Sequence, residues 1–170
     1  MNKLIEYLRP PRHLAIAVAA MSVATLAAAY TAQYGFGIKP CILCLYQRVP
    51  YFVNIAFGIL AFLATFRYPR LAALLLCLSA VTFFAGASIA GFHVGVEHGW
   101  WKGLSSCSGN ILPEHASLED LRQAITQQAI VVNCAKPAWT LFGISLAGYN
   151  LAMSLALGLG VIGLVRKNNP

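Results

Sequence analysis

The stretch Lys39-Pro-Cys-Ile-Leu-Cys-Leu-Tyr-Gln-Arg48, KPCILCLYQR, puts two cysteines three positions apart, a proline directly before the first and an arginine four positions after the second. A Cys-x-x-Cys pair brings both sulfurs within bonding range when the second cysteine lies in the first turn of a helix, where unpaired amides and the helix dipole stabilise a thiolate. Pro40 suits a place at or just before such a start, because no amide donor is needed there. Pro50, a little farther in, is expected to perturb the first turns and leave backbone carbonyls free.

Downstream of this stretch runs Val49 to Phe66, one of four long apolar segments with no acidic or basic residue; the others are Leu14 to Tyr34, Leu71 to Phe92 and Ala138 to Val165. Each is about long enough to cross a hydrocarbon core near 30 Å thick at about 1.5 Å per helical residue. An unpaired backbone amide in lipid costs several kcal/mol, so these runs are expected to be helices, and nothing alternates as barrel strands do. The composition agrees. Of 170 residues 59% are hydrophobic and 10% charged, against roughly 25% charged in a soluble globular domain. The expected fold is an all-α membrane protein: a single domain, 1–170, built as a four-transmembrane-helix bundle. Its helices fall at about 14–34, 45–66, 71–92 and 138–165, with extracytoplasmic loops at about 35–44 and 93–137. The first run exceeds the apolar length of a secretory signal and is expected to be retained.

The net charge of +7 does not point to nucleic acid, because the basic residues sit in small clusters between apolar runs and not along one polar face. Lys3, Arg9 and Arg12 precede the first run, Arg67 and Arg70 separate the second and third, and Arg166 and Lys167 follow the fourth. By the positive-inside bias these places, and both termini, are cytoplasmic. The opposite face receives the loop of about 93–137, which holds four of the five acidic residues.

Four of the five cysteines, Cys41, Cys44, Cys107 and Cys134, lie in or at the edges of the two extracytoplasmic loops, two per loop. An oxidising compartment permits disulfides, so two are suggested. Cys77, inside the third run, reads as a small polarisable core residue. For the first pair three readings compete. Zinc needs four ligands, and the second pair lacks the close spacing of a zinc ribbon. A structural staple across a two-residue gap removes little chain entropy. A redox role is the reading the chemistry favours. Arg48 shares a helix face with Cys44 on the side of the membrane where positive charge is disfavoured. It reads either as a snorkelling side chain or as the group that stabilises a Cys44 thiolate or charge on a bound electron acceptor.

In the second loop, Cys107 sits in the Ser/Gly-rich segment SSCSG, where an incoming thiolate is expected to reach it. Ser117 reads as a helix cap, and Leu118, Leu121, Ile125 and Ala129 recur at helical spacing. A short amphipathic helix over about 118–130 is therefore expected, lying either on the bilayer, near Trp100 and Trp101, or on the protein. His93 and His98 fall at or just beyond the end of the third helix. Each is expected to be exposed or hydrogen-bonded, although His93 can also face Arg48 across the bundle and donate or move a proton. Glu97 can take a similar part or can solvate the loop.

Four helices, CILCLYQR at the top of the second, the Cys107 and Cys134 pair in a long loop and the stretch CAKPAWTLFGISLAGYN entering the fourth together resemble the bacterial disulfide-bond formation protein B (DsbB) family. The resemblance spans nearly the whole chain. It implies an inner-membrane, quinone-dependent oxidase of protein dithiols with redox disulfides Cys41–Cys44 and Cys107–Cys134. A reduced DsbA-like periplasmic thiol oxidase attacks Cys107, Cys134 is released and attacks Cys41, and Cys44 is left as a thiolate beside a quinone, ubiquinone or menaquinone. Arg48 then favours electron transfer electrostatically, and His93 is an approximate match to a quinone-binding position. No resident metal is implied. Two other readings stay open: a quinone-linked thiol oxidase dedicated to another partner or similar to vitamin K epoxide reductase, and a non-catalytic membrane protein whose loop cysteines bind zinc or form fixed staples.

Overall fold

Lipid offers a backbone amide no partner, so each apolar run closes its hydrogen bonds within a helix. The computed structural model describes residues 12–104, 107 and 132–167. Helix α1 (Arg12–Tyr30) ends in a π-helical turn, Thr31–Gly35. The second span is a short α2 (Ile42–Tyr46) followed by α3 (Val49–Ala64), and α4 covers Pro69–Glu97. A small hairpin of β1 (Thr140–Leu141) and β2 (Ile144–Ser145) leads into α5 (Leu146–Lys167). Among the described residues, four helical segments are long and apolar enough to cross a membrane: Arg12–Gly35, Ile42–Ala64, Pro69–Glu97 and Leu146–Arg166. This is the four-transmembrane-helix architecture that the apolar runs imply. The helix expected over 118–130 lies outside the described residues.

Three boundaries differ from those drawn on hydropathy, each for a local reason. The second span begins at Ile42 and is broken at Gln47 and Arg48, because Pro50 has no amide to give to the preceding turn. The third continues through His93 to Glu97, five residues past its last apolar run, and stops where Gly99 takes φ +71°. There the Gly99 amide bonds Val96 O (3.1 Å) and the Trp100 amide bonds Gly95 O (2.9 Å), the paired bonds of a Schellman end. The fourth starts at Leu146 and not near 138. Phe142 and Gly143 both have positive φ (49° and 78°) and form the two-residue turn of the hairpin, with Thr140 opposite Ser145.

Helix α1 packs on α3, α3 on α4 and α4 on α5, while α1 and α5 scarcely meet. Leu14, Val18, Tyr51, Leu76, Phe83 and Val161 form the centre of the core. Helices α1 and α3 approach closely at Gly58, where an added Cβ would lie 2.9 Å from both Ala15 O and Ala19 Cβ; small residues permit such contact between membrane helices. Outward stand Ile59, Leu63, Leu74, Val81 and Leu159, all exposed, an arrangement that lipid solvates and water does not. Cys77 is also exposed. It faces outward from α4 and is not the packed core residue expected of it. The hydroxyls of Ser22, Thr25, Thr82 and Ser88 each donate to the carbonyl four residues earlier, which satisfies them without a second helix.

The up-and-down course gathers Arg12, Arg67, Arg70 and Arg166 at one end of the bundle and the cysteine-bearing segments at the other. Around the cysteine end stand exposed aromatic rings: Tyr34, Phe36, Trp100 and, at the hairpin tip, Phe142. Gly58→Leu should force α1 from α3 and lower stability by about 1–3 kcal/mol, read as a lower thermal midpoint in detergent. Gly160, where an added Cβ meets nothing within 4 Å, should accept leucine without that loss.

Candidate active site

Pro40 stops the chain from entering a helix before Cys41, and Cys41 is the residue that caps α2. Its backbone is extended (φ −78°, ψ 172°) and its sulfur accepts a hydrogen bond from the Cys44 amide at 3.4 Å. Cys44 is thus the third residue of the helix, with its sulfur 3.0 Å from that of Cys41, both as free cysteines. The Cys44 thiol hydrogen-bonded to it holds the pKa of Cys41 well below the usual thiol range. His93 and the Cys44 amide add to this, against the opposing effect of burial.

The extra turns of α4 bring His93 over this pair. Its Nε2 lies 3.5 Å from Cys41 Sγ and its Nδ1 2.8 Å from Gln47 Nε2. Glu97, one turn on, places Oε1 3.8 Å from the same Nε2 and accepts a hydrogen bond from Ser145 Oγ at the start of the fourth span. His93 therefore faces Cys41 and not Arg48, and of the two readings of Glu97 the structure takes the first, with its side chain buried beside His93. Gln47 Oε1 accepts from Asn150 Nδ2 (2.6 Å), and Asn150 Oδ1 accepts from the Tyr51 hydroxyl (2.5 Å), which also meets Ser154 Oγ at 2.9 Å.

Arg48 turns the other way. Its Nη1 donates to Gln33 Oε1 at 2.7 Å and its guanidinium lies over the Tyr30 ring, 4.7 Å from the centroid. Both partners come from the end of the first span. In the gap that α1 and α5 leave between them is a cavity of about 390 Å³. Its polar lining includes Gln33, Cys44, Gln47, Arg48, Tyr51 and Asn150; alanine, leucine and methionine side chains make up most of the rest. Cys44 and Arg48 thus share a cavity, which His93 does not line.

Cys107 and Cys134, 27 residues apart, are joined by a disulfide with a Cα–Cα distance of 5.1 Å. Both are buried, at 2% and 0% exposure, and they pack with Cys41, Leu43 and Val96 in one apolar cluster bordered by Cys44. Gly103 permits this closeness, since a Cβ there would lie 3.1 Å from Cys107 Cβ. All four loop cysteines are therefore brought together. The openness expected of Cys107 is not found: an incoming thiolate reaches it only after the cluster is uncovered. Among the described residues, Cys41, Cys44 and His93 hold ligand atoms within 4.8 Å of one another. Cys107 and Cys134 are bonded to each other, so the four cysteines do not stand as free thiols together in this structure.

Sequence reasoning passed over Gln47, Tyr51 and Asn150 as site residues. The available signal was that each is a polar residue within or beside an apolar helix, where a hydrogen-bonding group needs a partner.

Comparison with known proteins gives this geometry a family. A family model described as Disulfide bond formation protein DsbB matches residues 11–164. The chain is 31% identical over 174 residues to an uncharacterized protein of Rickettsia prowazekii (strain Madrid E), covering 99% of this chain and 98% of that one. It is 31% identical over 140 residues to disulfide bond formation protein B of Methylococcus capsulatus (79% of this chain, 82% of that one). To disulfide bond formation protein B 2 of Pseudomonas savastanoi pv. phaseolicola it is 29% identical over 165 residues (90% and 87%). With that match and a four-span bundle holding a cluster of cysteines, the chain belongs to the DsbB family and is a multi-pass membrane disulfide oxidoreductase.

Proposed function

We propose that this chain reoxidises a periplasmic DsbA-like dithiol oxidase and passes the electrons to a membrane quinone, from a bacterial inner membrane with both termini in the cytoplasm. The observation that carries the reading is that one sulfur of the first pair, Cys44, borders an apolar cavity, while the other, Cys41, packs with Cys107 and Cys134. A thiol relay and a lipid-soluble electron acceptor thus meet at one Cys-x-x-Cys.

The exchange starts from a chain in which both pairs are disulfides and ends at the bonding found in the structure, with Cys107 and Cys134 joined and Cys41 and Cys44 free. A partner thiolate attacks Cys107, forming a mixed disulfide and releasing Cys134 as a thiolate. Cys134 attacks Cys41, forming an interloop disulfide as the Cys41–Cys44 bond breaks, and Cys44 is released with the electron pair at the cavity. The partner's second thiolate then resolves the mixed disulfide, and the oxidised partner leaves Cys107 as a thiolate. Cys107 attacks Cys134 and restores their bond, so the two electrons rest on Cys41 and Cys44. Each step is a sulfur-to-sulfur displacement.

The cavity fits a quinone headgroup. At about 390 Å³ it lies within the range of small-molecule sites, about 300–1,000 Å³, and it has the mostly apolar lining with a few convergent polar groups that such sites use. When bound, the quinone supplies an acceptor for two electrons and two protons. Arg48, held by Gln33 and Tyr30, places a permanent positive charge beside the negative charge that gathers on Cys44 and on an acceptor next to it. The Asn150 amide, which gives one hydrogen to Gln47 Oε1, has a second to offer a ring oxygen. The gap between α1 and α5 gives a lipid-borne molecule a sideways entrance.

Stopped-flow oxidation of a reduced DsbA-like protein tests the reading. With ubiquinone or menaquinone added, turnover should continue, and trapping should find all four cysteines as disulfides. Without quinone, oxidation should stop once the chain's own disulfides are spent. Cysteines that stay reduced in the presence of quinone, or zinc bound stoichiometrically, would sink it. Arg48→Met should slow quinone reduction roughly a hundredfold, as the loss of one preorganised charge-stabilising donor does, with little change in exchange between the partner and Cys107–Cys134. Equal loss of both steps would assign Arg48 a structural role.

A further inference from the structure

Four side chains from four segments form one hydrogen-bonded line across the cysteine end of the bundle: Tyr51 of α3, Asn150 of α5, Gln47 of the α2–α3 break and His93 of α4. The line runs from the cavity, which Tyr51, Asn150 and Gln47 border, to Cys41, which does not border it. Its direction is set link by link. The Tyr51 hydroxyl donates to Asn150 Oδ1, so the Asn150 amide nitrogen donates to Gln47 Oε1. Gln47 Nε2 is then the atom that meets His93 Nδ1. An amide nitrogen only donates, so Nδ1 is the bare, accepting nitrogen and the proton of the neutral ring lies on Nε2. That nitrogen faces Cys41 Sγ at 3.5 Å. The Glu97 carboxylate, 3.8 Å from Nε2 and held by Ser145, favours the proton at the same place.

We infer that Gln47, Asn150 and Tyr51 are positioning residues that fix the His93 proton on Nε2, so that the imidazole donates to Cys41 whenever that sulfur carries negative charge. The purpose of the device rests on the proposed function. When Cys107 attacks Cys134, the Cys107–Cys134 bond forms, the Cys134–Cys41 bond breaks and Cys41 leaves with the electron pair. A donor already aimed at it stabilises the leaving thiolate. In the reverse arrangement Gln47 would turn its oxygen to His93, the ring proton would sit on Nδ1, and a bare Nε2 would accept from Cys41. That arrangement favours the neutral thiol. The side chains on the cavity wall thereby set the reactivity of a sulfur outside the cavity.

The test needs neither partner nor quinone, so its failure is distinct from failure of the quinone-linked oxidase reading. In a full-length chain carrying Cys107→Ser and Cys134→Ser, alkylation of Cys41 and Cys44 is followed separately against pH by peptide mass spectrometry. The titratable groups facing His93 among the described residues are Cys41, Cys44 and Glu97; a Glu97→Gln arm separates the carboxylate's influence from that of the line. Asn150→Leu and Tyr51→Phe should each move the Cys41 profile upward by about one pH unit, a tenfold loss of thiolate below the midpoint. The Cys44 profile should not move with it. Cys77, exposed on α4, is the internal control, with unchanged labelling. If Asn150→Leu disturbs Cys77 labelling, Tyr51→Phe, which loses a single hydroxyl, decides the matter. A Cys41 profile unmoved in Tyr51→Phe, or a shift shared equally by Cys44, overturns the inference.

Discussion

The hydrogen bond from the Cys44 amide to the Cys41 sulfur fixes where the second span begins, and the rest of the site is arranged around that helix start. Three residues on, the helix must break, because Pro50 gives no amide to the turn before it. The break sends two neighbours in opposite directions. Gln47 reaches α4 and α5 through His93 and Asn150, and Arg48 reaches the first span through Gln33 and Tyr30. One short stretch of chain thus joins all four spans at the level of the sulfurs.

The four spans, their course and the end at which the cysteines gather were legible in the sequence, because lipid solvation leaves an apolar helix no alternative form. Which residues line the site was less legible. Hydropathy ends the third span at Phe92, yet the backbone continues the helix until Gly99 can take a positive φ. Those extra residues turn His93 and Glu97 from loop residues into buried ones. The residues before α5 are apolar enough to pass for helix, but Phe142 and Gly143 adopt turn dihedrals and pair Leu141 with Ile144. Cys77 gave no signal of its facing, since a helix in lipid is apolar on both its inner and outer sides. The pairing of Gln47 with Asn150, 103 positions apart, is a tertiary fact that no local pattern carries.

Polar groups are costly inside a bundle, and at the cysteine end they stand where they can answer one another, whereas Asn54 and Ser79 are buried without a hydrogen-bond partner. Tyr51, Asn150, Gln47, His93, Glu97 and Ser145 form a continuous set, each with a partner. Beside it the sulfur cluster is apolar, with Leu43, Val96 and Val132 excluding water from Cys41, Cys107 and Cys134. The first pair lies on the boundary between these two environments. In the proposed reaction that boundary keeps the disulfides dry until the partner uncovers them, while Cys44 stays at the wall of the cavity.

The exposed rings at the cysteine end, Tyr34, Phe36, Trp100 and Phe142, have a consequence for membranes of different thickness. Aromatic residues prefer the headgroup level and resist being drawn deeper or pushed into water. The arginine end carries exposed rings as well, Phe66 and Tyr68, beside arginines whose long side chains can stretch to the interface. A bundle with aromatic residues at both ends resists sliding along the membrane normal, so a bilayer thinner or thicker than the spans is met by tilting or by local deformation of the lipid.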